Sequence, residues 1–157
     1  MLRVSRALAV IVGLVVVGCV SQAPAAETET AGPGAEAAAK GAKLRLVKSE
    51  YGVVVMNGRG RALYLFTRDS GGASACEGDC AVAWPPYLTK GKPVAGKGVD
   101  ARKLKTLRRP DGTRQLVYAG HPLYFYEHDT PGNILCQDVF EFGGRWLLVK
   151  GSGKPVR

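Results

Sequence analysis

Catalytic signatures are what this 157-residue chain most plainly lacks. It has no Gly-x-Ser-x-Gly elbow and no His-Glu-x-x-His helix, which removes the commonest hydrolase readings. There is no Cys-x-x-Cys-His haem attachment, and no Cys-x2-Cys pair of the thioredoxin-like or zinc-ribbon kind. Histidine is limited to His121 and His128. No segment holds a 3.6-residue hydrophobic period over three turns, which leaves room for at most one short helix. The longest uncharged apolar run, Ala7 to Val17, has eleven residues. That is roughly 16 Å of helix, about half a bilayer's hydrocarbon core, so it is too short for a stable span. At 46% apolar and 22% charged residues the composition is that of a soluble domain, and long disorder, collagen-like and multi-pass membrane architectures are excluded.

What is present begins at the N-terminus. Arg3 and Arg6 precede the apolar run, and Gly18 and Cys19 follow it directly. A positive start, a short apolar stretch and a small residue at the exit are the parts of a secretory signal. The order Val16-Val17-Gly18-Cys19 resembles a bacterial lipoprotein signal, whose processing joins a diacylglycerol to the cysteine sulfur and cuts before that cysteine. An ordinary signal cut near Ala23-Pro-Ala25-Ala26 is the alternative. Residues 1–18 are thus expected to be a signal peptide and Cys19 the lipidated residue. Two or three acyl chains on one cysteine hold stably to a membrane, whereas a single chain binds only marginally. Residues 20–43 contain no aromatic residue and one large aliphatic, Val20. Such a stretch cannot bury enough surface to offset its ordering entropy, so 19–43 is expected to be a flexible tether, with an end-to-end distance of roughly 27 Å. The expected location is extracytoplasmic, on the periplasmic or cell-surface face of a membrane, and this compartment excludes nucleic acid as a partner.

From residue 44 to 157 the pattern changes. Leu44–Lys48, Val53–Met56, Ala62–Thr67, Gln115–Ala119, Pro122–Glu127 and Trp146–Lys150 are short runs rich in β-branched and aromatic residues. Asn57-Gly58-Arg59-Gly60 and Pro110-Asp111-Gly112 punctuate them as turns. The expected fold is a small all-β antiparallel domain. At most a single short helix is expected, at Val99–Leu107, with Asp100 as the candidate N-cap.

Leu63-Tyr64-Leu65-Phe66-Thr67-Arg68-Asp69 recurs sixty residues later as Leu123-Tyr124-Phe125-Tyr126-Glu127-His128-Asp129. Each copy is followed by a tryptophan, Trp84 and Trp146, and duplicated units of this kind pack on each other to make one domain. Several motifs now stand in order: Tyr64-x-Phe66-x-x-Asp69, Cys76-x-Gly78-x-Cys80, Trp84-Pro85-Pro86, Arg109-Pro110-Asp111-Gly112, Tyr118-x-Gly120-x-Pro122-Leu123-Tyr124 and Gly143-Gly144-x-Trp146. Over residues 50 to 150 they resemble the bacterial lipoproteins known as a secreted repeat of unknown function, named for a Tyr-x-(Phe/Trp/Tyr)-x-x-Asp motif. The resemblance implies export and a repeated β module, and brings no established activity. Cys136 is a departure, because many relatives carry a small residue there.

In a strand, Tyr64 and Phe66 share one face, as do Tyr124 and Tyr126. One reading makes these rings core and gives Asp69 and Asp129 the capping of the following turns. The other makes the stripe a stacking platform for a glycan or flat ligand, with the aspartates as acceptors. Removing Cys19 leaves Cys76, Cys80 and Cys136. The first two sit in a polar, glycine-rich loop, where an oxidising compartment favours a bridge between them. Cys136 is either a buried small hydrophobe or a competing partner for one of the pair.

Positive charge concentrates between the copies. Lys90, Lys92, Lys97, Arg102, Lys103, Lys105, Arg108 and Arg109 face only Asp100, a local net of +7 within a net of +9 for the chain. This stretch is either a solvated connector or a contact for anionic envelope polymers. Taken together, the expectation is a non-enzymatic, cofactor-free envelope protein held to a membrane by lipid, with anionic envelope polymers or an envelope protein as its partner. The rival is a small redox, metal or haem-handling lipoprotein using Cys76, Cys80, Cys136, His121 and His128.

Overall fold

The computed structural model describes residues 41–157. The signal segment, Cys19 and all but the last residues of the tether lie outside the described residues. The described chain is built from short strands, β1 (Lys43–Ser49), β2 (Gly52–Asn57), β3 (Tyr64–Phe66), β4 (Val94–Ala95), β5 (Leu104–Arg108), β6 (Arg114–Tyr118), β7 (His121–Pro122), β8 (Val139–Glu141) and β9 (Gly144–Leu148). Helix α1 covers Asp79–Ala83. The strands form three-stranded sheets of order β2-β1-β4, β3-β9-β8 and β5-β6-β7. All these pairings are antiparallel except β1 with β4, where Lys43 and Leu44 run parallel to Val94 and Ala95. That pairing draws the ordered chain back past residue 44: Ala42 is buried and its amide donates to Thr89 Oγ1 at 3.1 Å.

The expected helix at 99–107 is a correction. Asp100 does cap, accepting from the Arg102 amide, but the cap starts a single 3-10 turn at Ala101–Lys103. The chain then enters β5, whose five residues pair with β6 from Leu104 opposite Tyr118 to Arg108 opposite Arg114. Strand β6 is buried from Gln115 to Tyr118, and its need for a ladder partner outweighs the weak local preference of the Leu-Lys-Thr-Leu-Arg segment. The helix lies instead at Asp79–Ala83, beginning inside the Cys76–Cys80 loop and closed by the Trp84 amide donating to the Cys80 carbonyl at 2.8 Å.

The two copies exchange their final segments. Val149, at the end of the second copy, accepts from the Val55 amide of the first at 2.8 Å, and β9 pairs with β3. Reciprocally, Tyr87 at the end of the first copy donates to Leu123 and accepts from Leu116 of the second, both at 2.8 Å. The copies meet where Tyr64 and Tyr124 trade backbone hydrogen bonds at 2.9 and 3.0 Å. The β3-β9-β8 sheet thus joins strands of both copies, and each copy's last segment finds its backbone partners in the other.

This central layer is buried on both sides, and the period-two alternation of its strands sorts residues into two cores. Leu63, Leu65, Leu123, Phe125, Leu147 and Val149 point into one, with Leu44, Val55, Leu116, Tyr118 and Tyr87. Tyr64, Phe66, Tyr124, Trp146 and Leu148 point into the other, with Val54, Met56, Trp84, Cys76 and Cys80. Each fully buried large side chain contributes about 1.5–3 kcal/mol by removal from water.

Candidate binding groove

The repeated motif sits at the meeting of the copies, and each copy's tyrosine reaches the other copy's aspartate. Tyr64 donates its hydroxyl to Asp129 Oδ2 at 2.6 Å, and Tyr124 donates to Asp69 Oδ2 at 2.9 Å. The second oxygen of each carboxylate caps its own following loop. Asp69 Oδ1 accepts from the Ala75 amide at 2.8 Å and Asp129 Oδ1 from the Leu135 amide at 2.9 Å, each six residues on. Burial raises both carboxyls above the usual aspartate value, with these donated hydrogen bonds pulling the other way. It also drives the Tyr64 and Tyr124 hydroxyls upward, so both stay protonated and able to donate.

The rings build a column along the same junction. Phe66 stacks on Trp146 at 4.1 Å between centroids, and Trp146 stacks on Trp84 at 4.1 Å, nearly parallel. Tyr64 meets Trp84 edge-on and Tyr124 meets Trp146 edge-on, both at 5.2 Å. Tyr126 continues the column beyond Trp84 at 4.9 Å, but tilted by 41°. Tyr64, Phe66, Tyr124 and both tryptophans are buried, whereas Tyr126 is half-buried. The stripe is thus core along most of its length and open only at the Tyr126 end.

That end is a groove of about 290 Å³ lined by Ala83, Tyr126, Glu127, Glu141 and Phe142. Its origin is a difference between the copies. After its motif the second copy forms the β8–β9 hairpin, and Gly144 of that hairpin lies flat over Phe66; a Cβ there would come within 2.6 Å of the Phe66 ring. After its motif the first copy forms the disulfide loop and α1 instead, so Tyr126 meets Ala83 and no equivalent hairpin covers it. Glu141 projects from the hairpin and accepts from Trp84 Nε1 at 2.9 Å, tying the groove wall to the column. Phe142 and Gly143 form the two-residue hairpin turn with φ of +52° and +77°. This primed geometry suits a twisted hairpin, but it is strained for a phenylalanine.

Cys76 and Cys80 are joined, and Cys136 is a free, half-buried thiol. Cys136 stands seven residues after Asp129 as Cys76 stands seven after Asp69, so it is the second copy's counterpart of the bridged cysteine. This spacing was the signal available in the sequence for its position. Position 140, where a partner sixty residues after Cys80 would stand, is Phe140. Cys136 lies in hydrogen-bonding reach of the Tyr126 hydroxyl, and burial raises its thiol above the usual range. Desolvation, with Cys136 and two glutamates nearby, pushes Tyr126 up to about 12. His121 is half-buried in β7 opposite Tyr118, and His128 is exposed beside Glu127. Among the described residues no three His, Cys, Asp or Glu side chains gather where they could hold a metal, so the five residues of the redox or metal reading do not form one site.

The basic connector also divides. Lys90, Lys92, Lys97, Arg102, Lys105 and Arg108 are exposed. Lys103 donates to the Ser152 carbonyl and Arg102 pairs with Asp100. Arg109 leaves the patch altogether: it is 7% exposed and donates to Ser74 Oγ, Gln115 Oε1 and the Cys76 carbonyl at 2.7–2.9 Å. Sequence reasoning missed Ala83, Glu127, Glu141 and Phe142 as groove residues. An aromatic beside Gly143 in a two-residue turn was the one available hint for Phe142.

A duplicated β domain whose copies trade final segments and lock through reciprocal Tyr–Asp bonds is a repeat module. The chain belongs to the lipoprotein family described as a secreted repeat of unknown function, whose pattern matches residues 45–87 and 105–150, together more than half of the chain. Each matched span ends in the segment that crosses to the other copy. Membership points to an extracytoplasmic location and, by the family's name, to membrane anchoring. No curated protein and no solved structure matches the chain.

Proposed function

We propose that this chain is a lipid-anchored, non-enzymatic binding module of the cell envelope, tethered through a diacylglycerol on Cys19 and presenting the groove beside Tyr126 to a ligand. The reading is carried by the Tyr–Asp exchange. The polar atoms of the repeated motif are bonded to one another across the copies, which makes the motif the clasp of the domain and leaves the groove as the place where ring and carboxylate meet solvent. The family's name and the Gly18-Cys19 signal support the anchor. The exposed lysines and arginines of the connector support a secondary attraction to anionic envelope polymers, weakened by salt. Intact-mass measurement of the protein from its host, with Cys19→Ser as comparison, tests the anchor. A chain beginning at Cys19 with added acyl mass is expected, and an unmodified N-terminus beyond Cys19 overturns it.

A further inference from the structure

The groove has a chemical character opposite to that of the molecule around it. The chain carries +9, yet the groove is lined by two carboxylates, two aromatic rings and an alanine, without a lysine or arginine. The guanidiniums beside it are turned to backbone carbonyls, Arg68 donating to Phe142 at 2.9 Å and Arg61 to Tyr126 and Glu127, and the His128 imidazole stands 3.5 Å from Glu127 outside the lining. An anion would meet Glu127 and Glu141. A bare metal ion requires more oxygen ligands than two carboxylates supply, and among the described residues no third His, Cys, Asp or Glu joins them. A neutral apolar ligand would desolvate both carboxylates without compensation. Rings and carboxylates together suit one class of ligand, a positive charge spread over apolar substituents.

We propose that the groove binds an organic ammonium ion, seated between Tyr126 and Phe142 with Glu127 and Glu141 as its counter-charges. The proposal rests on the binding-module reading and names the ligand class. The volume, near the lower bound for ligand pockets, suits a small amine rather than a polymer. Glu141 is held by Trp84 Nε1 before any ligand arrives, so little ordering is required of it on binding.

The test uses the mature lipidated chain in detergent micelles and follows the Trp84 indole N–H resonance by NMR, because its acceptor is Glu141. Choline is the probe, and its neutral carbon isostere is the control. A saturable shift with choline is expected, with the isostere binding about tenfold more weakly or worse. Glu127→Gln and Phe142→Ala are each expected to weaken choline by about tenfold. The Glu127 side chain meets exposed His128, while its bonds to Ala83 and Arg61 run through the backbone that glutamine keeps, so the variant is expected to keep the native spectrum elsewhere. Ethanolamine, free and as phosphatidylethanolamine vesicles, distinguishes a soluble amine from a lipid head group: a shift with the free form alone assigns the former, and a shift with vesicles the latter. The absence of a saturable shift with choline or ethanolamine overturns the proposal, as does equal binding of the isostere or an unaffected Glu127→Gln. Membrane fractionation separates the two readings. A chain that binds no ammonium but stays in the membrane fraction refutes the ligand class alone, and a chain absent from that fraction refutes the envelope reading.

Discussion

Replacing Tyr64 with phenylalanine removes a single oxygen and leaves the Asp129 carboxylate, 3% exposed, with the Leu135 amide as its hydrogen-bond donor. A hydrogen bond to a charged group contributes about 1.5–3 kcal/mol, and the partner left behind is too buried for water to replace the lost donor. The expected loss for Tyr64→Phe is therefore about 2 kcal/mol. The mirror substitution Tyr124→Phe should cost less, about 1 kcal/mol, because Asp69 is only partly buried and hydration can substitute for the tyrosine. Urea unfolding followed by tryptophan fluorescence reads both, with an unchanged slope as the check that the unfolded state has not shifted. The cost should also depend on pH. Burial lifts the folded Asp129 carboxyl above 3.8, so the folded state keeps its proton to higher pH than the unfolded chain. That contribution is complete below 3.8 and is lost as pH rises through the folded value. The Tyr64 hydrogen bond favours the charged form, so removing it raises the folded value further. The deficit of Tyr64→Phe should accordingly be small in acid and grow as pH rises through that window. A variant within about 0.5 kcal/mol of the native protein at neutral pH, or a deficit that is the same in acid, refutes the argument.

Further outcomes follow from the same contacts. Cys76→Ala with Cys80→Ala should lower unfolding free energy by about 2 kcal/mol, the loop-entropy value for so small a ring, measured by denaturant melts. Arg109→Met should cost about 3 kcal/mol, because Gln115 and the Cys76 carbonyl lose a buried donor; Arg108→Gln should leave the melt unchanged within about 0.5 kcal/mol. Phe142→Asn should raise the melting temperature, since asparagine accepts the positive φ at which phenylalanine is strained by about 1 kcal/mol, while weakening choline binding at the groove. Cys136 should react with a thiol reagent more slowly in the native protein than in denaturant, because burial raises its thiol.

What the sequence made legible followed from short-range periodicity. Alternation placed Tyr64 with Phe66 and Tyr124 with Tyr126 on shared faces, and in the structure those faces form one of the two cores. The aspartates' capping of their loops was readable from spacing, because side chain and amide are six residues apart. Their second role was not, since a tyrosine 65 or 55 residues distant becomes a partner only after the copies trade final segments. Strand β5 escaped for a related reason: its ladder is dictated by β6, and nothing within Leu104–Arg108 announces it. Arg109 looked like one more cation in a basic run until the fold turned it inward onto Ser74, Gln115 and Cys76.

The contacts that are alike in the two copies and those that differ divide the molecule into clasp and site. Paired edge-on contacts, paired Tyr–Asp bonds and the stacked tryptophans recur on both sides of the junction, as expected of groups that must hold two halves together. The column's two ends depart from this symmetry. At one, glycine at position 144 permits a hairpin to lie directly on Phe66. At the other, the first copy's chain is diverted into a disulfide-closed loop and a five-residue helix, and the ring left at the surface carries a hydroxyl. A phenylalanine left open there would expose apolar surface without return, whereas a tyrosine flanked by two carboxylates can be wet until a ligand displaces the water. Closing that end with a copy of the β8–β9 hairpin would restore the symmetry of the clasp and remove the groove, which is why the disulfide loop and the Glu141–Phe142 turn belong to the proposed site as much as Tyr126 does.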